Sequence, residues 1–170
     1  MKRLAAAAAV VLAACQSVPA DAPKAVAELQ PTKNGKATGT LTFTQVGDKV
    51  RVAGTVRGLV PGREHGFHIH EAGDCSSGDG MSAKGHFNPY GKPHSHPGTA
   101  ERHAGDMPAL KADASGVATV NSELDVMTVL PGPASIVGRG LIVHADPDDY
   151  KTQPTGNAGA RLACAVIQRS

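Results

Sequence analysis

The 170-residue chain has eight histidines, at 65, 68, 70, 86, 94, 96, 103 and 144, crowded mostly between positions 65 and 103. Imidazole nitrogens beside carboxylates form a donor set that suits zinc or copper better than calcium or magnesium. The stretch GFHIHEAGDC, from Gly66 to Cys75, sets His68 and His70 two residues apart, with Glu71, Asp74 and Cys75 close behind. On a strand both rings would share one face, because side chains alternate with a period of two. One such pair fits a plain surface as well as it fits a metal. The wider set does not: His68, His70, His86, His94, His103, Asp106 and His144 are more donors than one ion uses, and two adjacent sites would use them all.

Such donors need rigid elements to hold them. With two Tyr, three Phe and no Trp, the core must be built from Val, Ile, Leu and Ala, while 20 Gly and 12 Pro imply many turns and an all-β chain. Short alternating runs occur at AVAELQ (25–30), ATGTLTFTQV (37–46), KVRVAGTVRG (49–58), HGFHIHE (65–71), MPALKAD (107–113), GVATVNSEL (116–124), GLIVHA (140–145) and ARLACAVI (160–167). Asn34-Gly35 and Gly47-Asp48 are hairpin signals, and Ala114-Ser115-Gly116 is expected to pair the two runs it separates. Eight short strands imply an antiparallel sandwich or barrel. Residues 71–105 and 145–160 break the alternation. Each is longer than structureless loops usually are, and together they hold much of the unusual chemistry, so both are expected to be functional.

The first residues read differently. Lys2 and Arg3 precede an apolar run from Leu4 to Ala14 that is too short to span a bilayer, so residues 1–14 read as a signal peptide. Leu12-Ala13-Ala14-Cys15 resembles the bacterial lipoprotein box, which implies a lipidated Cys15 as the mature N-terminus. Residues 15–24 would then be the lipidated cysteine and a Pro- and Ala-containing linker, and 25–170 the single domain. The expected place is exported, on the periplasmic or cell-surface side of a bacterial membrane, tethered to it without crossing. Cleavage removes two basic residues and leaves 15 basic and 15 acidic groups, a balance that argues for no nucleic-acid partner. With Cys15 in the anchor, Cys75 and Cys164 remain as an even pair in an oxidising compartment, and a disulfide is the default reading.

The motifs GFHIHE, GHFNP, ERHAGD, GLIVHA and TGNAGARLAC occur in the order, and at nearly the spacing, of copper,zinc superoxide dismutases. The resemblance covers roughly residues 24–168 and points to a bacterial exported, lipoprotein-type member. It implies an eight-stranded Greek-key β-barrel with one copper ion and one zinc ion per subunit. Copper ligands would be His68, His70, His86 and His144, and zinc ligands His86, His94, His103 and Asp106, with His86 shared as an imidazolate. The family spacing favours His94 over His96, which then reads as a solvated loop residue. His65 is structural in this pattern, and Glu71 and Asp74 become loop residues. Asp148 matches the carboxylate that links a copper histidine to a zinc histidine, Cys75 and Cys164 match the family disulfide, and Arg161 matches the arginine beside copper. The implied activity is dismutation of superoxide anion to oxygen and hydrogen peroxide by a redox-cycling copper, with Arg161 and His86 as the catalytic residues.

The chain also departs from familiar animal members. Cys75 comes sooner after His70, and the loop between His144 and Arg161 is shorter, with Asp146, Asp148, Asp149 and Lys151 as its charges; an acidic pair that steers substrate is not carried over. Dimers and monomers both occur in the family, so a homodimer stays open. The rival reading on the same fold is a copper-storage or delivery protein, which need not keep Arg161 or the full ligand set.

Overall fold

The computed structural model describes residues 19–170. The expected signal peptide and the expected lipidation site at Cys15 lie outside the described residues. Ten strands form among the described residues: β1 (Lys24–Pro31), β2 (Thr38–Val46), β3 (Lys49–Arg57), β4 (Glu64–His65), β5 (Phe67–His70), β6 (Leu110–Lys111), β7 (Ala118–Leu124), β8 (Gly140–His144), β9 (Arg161–Val166) and β10 (Gln168–Arg169). One sheet runs in the order β5-β8-β9-β1-β2-β3-β7, with β10 beside β1, and every named strand pair in it is antiparallel. From β3, near one edge, the chain crosses to β5 at the other, so the sheet curls into a barrel-like shape with a Greek-key crossover.

Alternation explains the core. In β2 and β3, Leu41, Phe43, Val50, Val52 and Val56 are fully buried on one face, and Leu29, Phe67, Ile69, Leu141 and Val143 join them from β1, β5 and β8 in one cluster. Because Phe67 and Ile69 take the inner face of β5, His68 and His70 must take the outer one. The same parity puts Leu141 and Val143 inward on β8 and Ile142 outward, and a register shift follows between Val143 and His144.

Four expectations are corrected. The run 65–71 splits at Gly66: His65 pairs with Leu110 in a separate two-stranded ribbon, while Phe67–His70 pairs with β8. Gly66 itself bonds to the chain around the second long loop, its N–H donating to Asp146 O and its carbonyl accepting from His144 N–H. Residues 107–113 do not form a strand paired with 116–124. Asp106 must stay at the histidine cluster and Pro108 has no amide to donate, so the extended part shrinks to Leu110–Lys111 and pairs with β4, while β7 pairs with β3. The last strand breaks at Ile167 into β9 and β10, which both lie against β1. The first strand also begins one residue early, at Lys24.

Candidate metal centre

His68, His70, His86 and His144 are all buried and can each present one nitrogen within 4.8 Å of the others. His86, His94, His103 and Asp106 form a second buried group in the same way, and His86 belongs to both. β5 and β8 provide three of the four rings of the copper-type group expected from sequence, His68, His70 and His144. The open edge of β5 provides the rest: Ile69 N–H donates to Gly105 O at 3.0 Å, Phe87 N–H to Ile69 O at 2.8 Å, and Glu71 N–H to Gly85 O at 2.9 Å. Those bonds set His86 opposite His70 and Asp106 opposite His68. A Cβ on Gly105 would fall 2.2 Å from Ile69 O, so this close approach of two backbones needs glycine.

One ring nitrogen of most of these histidines is tied down. His70 Nδ1 donates to Lys84 O (2.8 Å) and His144 Nδ1 to Gly159 O (3.3 Å), which leaves their Nε2 atoms facing each other at 3.4 Å. Asp148 does this for two rings at once, accepting from His68 Nε2 (2.6 Å) on Oδ2 and from His94 Nε2 (2.9 Å) on Oδ1. Each bond fixes which nitrogen keeps its hydrogen and which offers a lone pair. His68 Nδ1 and His86 Nε2 are buried with no protein partner. Such atoms cost about 1–3 kcal/mol each unless something satisfies them, and both belong to the all-imidazole group, where a metal ion would.

The second group has the dimensions of a tetrahedral ion. Metal–nitrogen bonds of about 2.0–2.1 Å put neighbouring donors roughly 3.3 Å apart. Asp106 Oδ1 lies 3.0 Å from His86 Nδ1, 2.8 Å from His94 Nδ1 and 3.4 Å from His103 Nδ1, and His86 Nδ1 lies 3.5 Å from His103 Nδ1. The other oxygen, Oδ2, accepts the backbone N–H groups of His103 and Ser95, which aims Oδ1 at the rings. Three imidazoles and one carboxylate at these spacings fit zinc, and four imidazoles suit copper.

Electrostatics agree with ligand duty. Burial holds His68, His70, His86 and His144 below the ordinary histidine range, His86 at about 4, so these rings are neutral near pH 7. Burial would raise Asp106 and Asp148, but the imidazole and backbone donors around them outweigh it and keep both well below the ordinary carboxylate range. Burial would lower His94, yet Asp106 and Asp148 raise it to about 9; a metal ion competes with that proton.

A cavity of about 320 Å³ opens over the first group, lined by His70, His144, Arg161, Met81, Thr155 and Asn157 among others. Arg161 is buried, and its guanidinium donates from Nη1 to Gly80 O and from Nη2 to Lys84 O, both at 2.5 Å. Its own carbonyl accepts from Thr32 Oγ1 at 2.6 Å. Cys75 and Cys164 form a disulfide across 89 residues, and with Ala83 and Ile142 they make a small second core under the turn that carries Gly80 and Lys84.

The remaining sequence candidates fall outside both groups. His65 Nδ1 donates to His144 O at 2.9 Å and so supports the backbone of a member of the first group. His96 is exposed and packs edge-on against Tyr150. Glu71 pairs with Arg139, and Asp74 caps Ser76 N–H. Sequence reasoning did not find the carbonyls of Gly80, Lys84 and Gly159. It also missed Gln153, whose amide exchanges two bonds with the His94 backbone at 2.9 and 2.7 Å. Gly156 was missed too: with φ of 66°, it leaves the space that Asp148 and His94 occupy.

A family model for copper/zinc superoxide dismutase matches residues 37–167. The superoxide dismutase [Cu-Zn] of Paramecium bursaria Chlorella virus 1 is 44% identical over 139 residues, 78% of this chain and 73% of the viral one. Superoxide dismutase [Cu-Zn] 2 of Brassica juncea is 46% identical over 151 residues, covering 85% and 96%. Among solved structures, that of the clock protein EA4 superposes with a TM-score of 0.78 at 38% identity, covering 90% of this chain and 98% of the other.

Proposed function

The chain belongs to the copper/zinc superoxide dismutase family, and from that membership we propose a division of labour among its residues. His68, His70, His86 and His144 hold copper, and His86, His94, His103 and Asp106 hold zinc. One observation carries the division: a single ring, His86, belongs to both donor groups, with Nδ1 among the zinc-type donors and Nε2 buried without a protein partner.

The enzyme dismutates superoxide, so two superoxide anions and two protons become one dioxygen and one hydrogen peroxide. Bound copper supplies the one-electron couple that zinc lacks. The protein supplies the rest. Arg161 places a permanent cation with spare donors in the cavity that His70 and His144 line, which attracts a small anion and holds it there. Two backbone carbonyls keep that guanidinium from swinging away. Asp148 fixes one ring of each metal group with one carboxylate, so the orientations of the two sites are set together. His86 Nε2 is the atom at which the chain can hold a proton for the departing peroxide.

Export and anchoring belong to the same proposal: cleavage after Ala14, lipidation of Cys15, and action on superoxide outside the cytoplasm. The lipoprotein-box resemblance at Leu12–Cys15 supports it, as does a formed disulfide, which suits an oxidising compartment. Single-site variants test the assignments. We expect His94→Ala to lose zinc and keep copper, His144→Ala to lose copper and activity while keeping zinc, and His86→Ala to weaken both, as read by metal analysis. Loss of both metals in every variant would refute separate sites. Intact-mass measurement of the processed protein tests the anchor, and an unmodified Cys15 would refute it.

A further inference from the structure

The cavity over the imidazole group carries a sulfur at its rim. Met81 lines it together with His70, His144 and Arg161. It opens the 3-10 turn Met81–Ala83, between Gly80 and Lys84, the two residues whose carbonyls fix Arg161. The turn is pinned where Met81 N–H donates to Asp79 at 3.0 Å, and the same carboxylate pairs with Lys33. The Met81 side chain is 60% exposed, whereas Met107 and Met127 are 1% and 2% exposed in the core. Cys75 and Cys164 are joined to each other. Among the described residues, Met81 is therefore the one thioether or thiol sulfur that solvent reaches freely, and it stands at the opening of the copper-type site.

Resting on the copper assignment above, we propose that Met81 is the entry ligand for monovalent copper, taking up Cu(I) at the rim and passing it to His70 and His144. Arg161 makes the cavity favourable for anions and unfavourable for a bare cation, so charge alone does not draw copper in. A thioether overcomes this by bonding. It is neutral, it is a soft donor that prefers Cu(I), and it is not protonated in the physiological range. Its unbranched side chain has enough rotatable bonds to move between solvent and the cavity. A leucine of similar size would cover the same surface and lack the donor. No electron is transferred: the ion changes ligands, from sulfur to imidazole nitrogen, at constant oxidation state.

The test compares the zinc-loaded full chain with its Met81→Leu variant, mixed anaerobically with Cu(I) held by a coloured chelator whose absorbance reports copper leaving it. Loss of the soft donor should slow Cu(I) uptake by about tenfold, with the same final copper content and an unchanged rate when copper is supplied as a Cu(II)–glycine chelate. In parallel, Ag(I), a redox-inert stand-in for Cu(I), is titrated into protein with ¹³C-methyl methionine. The Met81 methyl resonance should shift before the histidine resonances do, while those of Met107 and Met127 stay in place. Equal Cu(I) uptake rates, or a Met81 methyl that does not move, would overturn the proposal and leave the copper assignment intact. Failure of both proteins to take copper into the imidazole group would overturn the assignment and the proposal with it.

Discussion

Asp148 belongs to neither donor group but ties one to the other, since one carboxylate orients His68 and His94. Removing such a partner usually lowers metal affinity about 10- to 100-fold. We expect that loss of zinc affinity in Asp148→Ala, measured by competition with a chelator. Gly156→Ala should behave alike, because its Cβ would lie 1.8 Å from Asp148 Oδ1 and 2.6 Å from His94 Nε2. Wild-type affinity in either variant would show that the carboxylate does not set the rings. Arg161→Ala should lower kcat/KM by about tenfold or more with copper content unchanged, because cationic steering is worth at least that much. Arg161→Lys should recover only part of it, having no planar fork to span the Gly80 and Lys84 carbonyls. At this scale the members of the two donor groups were legible in the sequence because they sit in short motifs of rare residue types. The carbonyls of Gly80, Lys84 and Gly159 were not, since every residue carries one and only the fold selects which is used.

At the scale of elements, the site depends on parity and on one protected edge. Phe67 and Ile69 commit β5 to the core and thereby commit His68 and His70 to the outer face. The alternation of β2 and β3 was plain in sequence, and so were their turns. The split at Gly66 and the shortening of β6 were not, because both arise from bonds to distant loops and from Pro108. Phe43, fully buried in β2, should cost about 3–5 kcal/mol on truncation to alanine, read by chemical denaturation. The turn between β6 and β7 gives a pH test. Asp113 accepts from Ser115 Oγ, Val117 N–H and Ser115 N–H, and these bonds, that of the Ser115 hydroxyl above all, hold its carboxyl below its ordinary 3.8. A depressed carboxyl stabilises the fold above the unfolded-state value and loses that contribution as pH falls through the folded one. Asp113→Ala should therefore be less stable than wild type near neutrality, with the gap closing below about pH 4. A gap that persists in acid would contradict this.

At the scale of the whole molecule, the disulfide ties the loop that carries Gly80, Met81 and Lys84 to β9, where Arg161 begins the strand. A closure of that length stabilises by about 4–5 kcal/mol in the chain-entropy model. Reduction should lower the denaturation midpoint accordingly. It should also lower kcat/KM before the protein unfolds, as the carbonyls that hold Arg161 loosen. The family relationship, the curled antiparallel sheet and the paired donor groups lead to one catalytic description, and the most direct test of it joins composition to rate. The purified protein, shown by metal analysis to hold one copper and one zinc per chain, is mixed with superoxide, and the decay of the radical is followed by its ultraviolet absorbance. The account predicts decay far faster than the spontaneous reaction, in proportion to copper content; fully copper- and zinc-loaded protein that leaves superoxide to decay at its uncatalysed rate would contradict it.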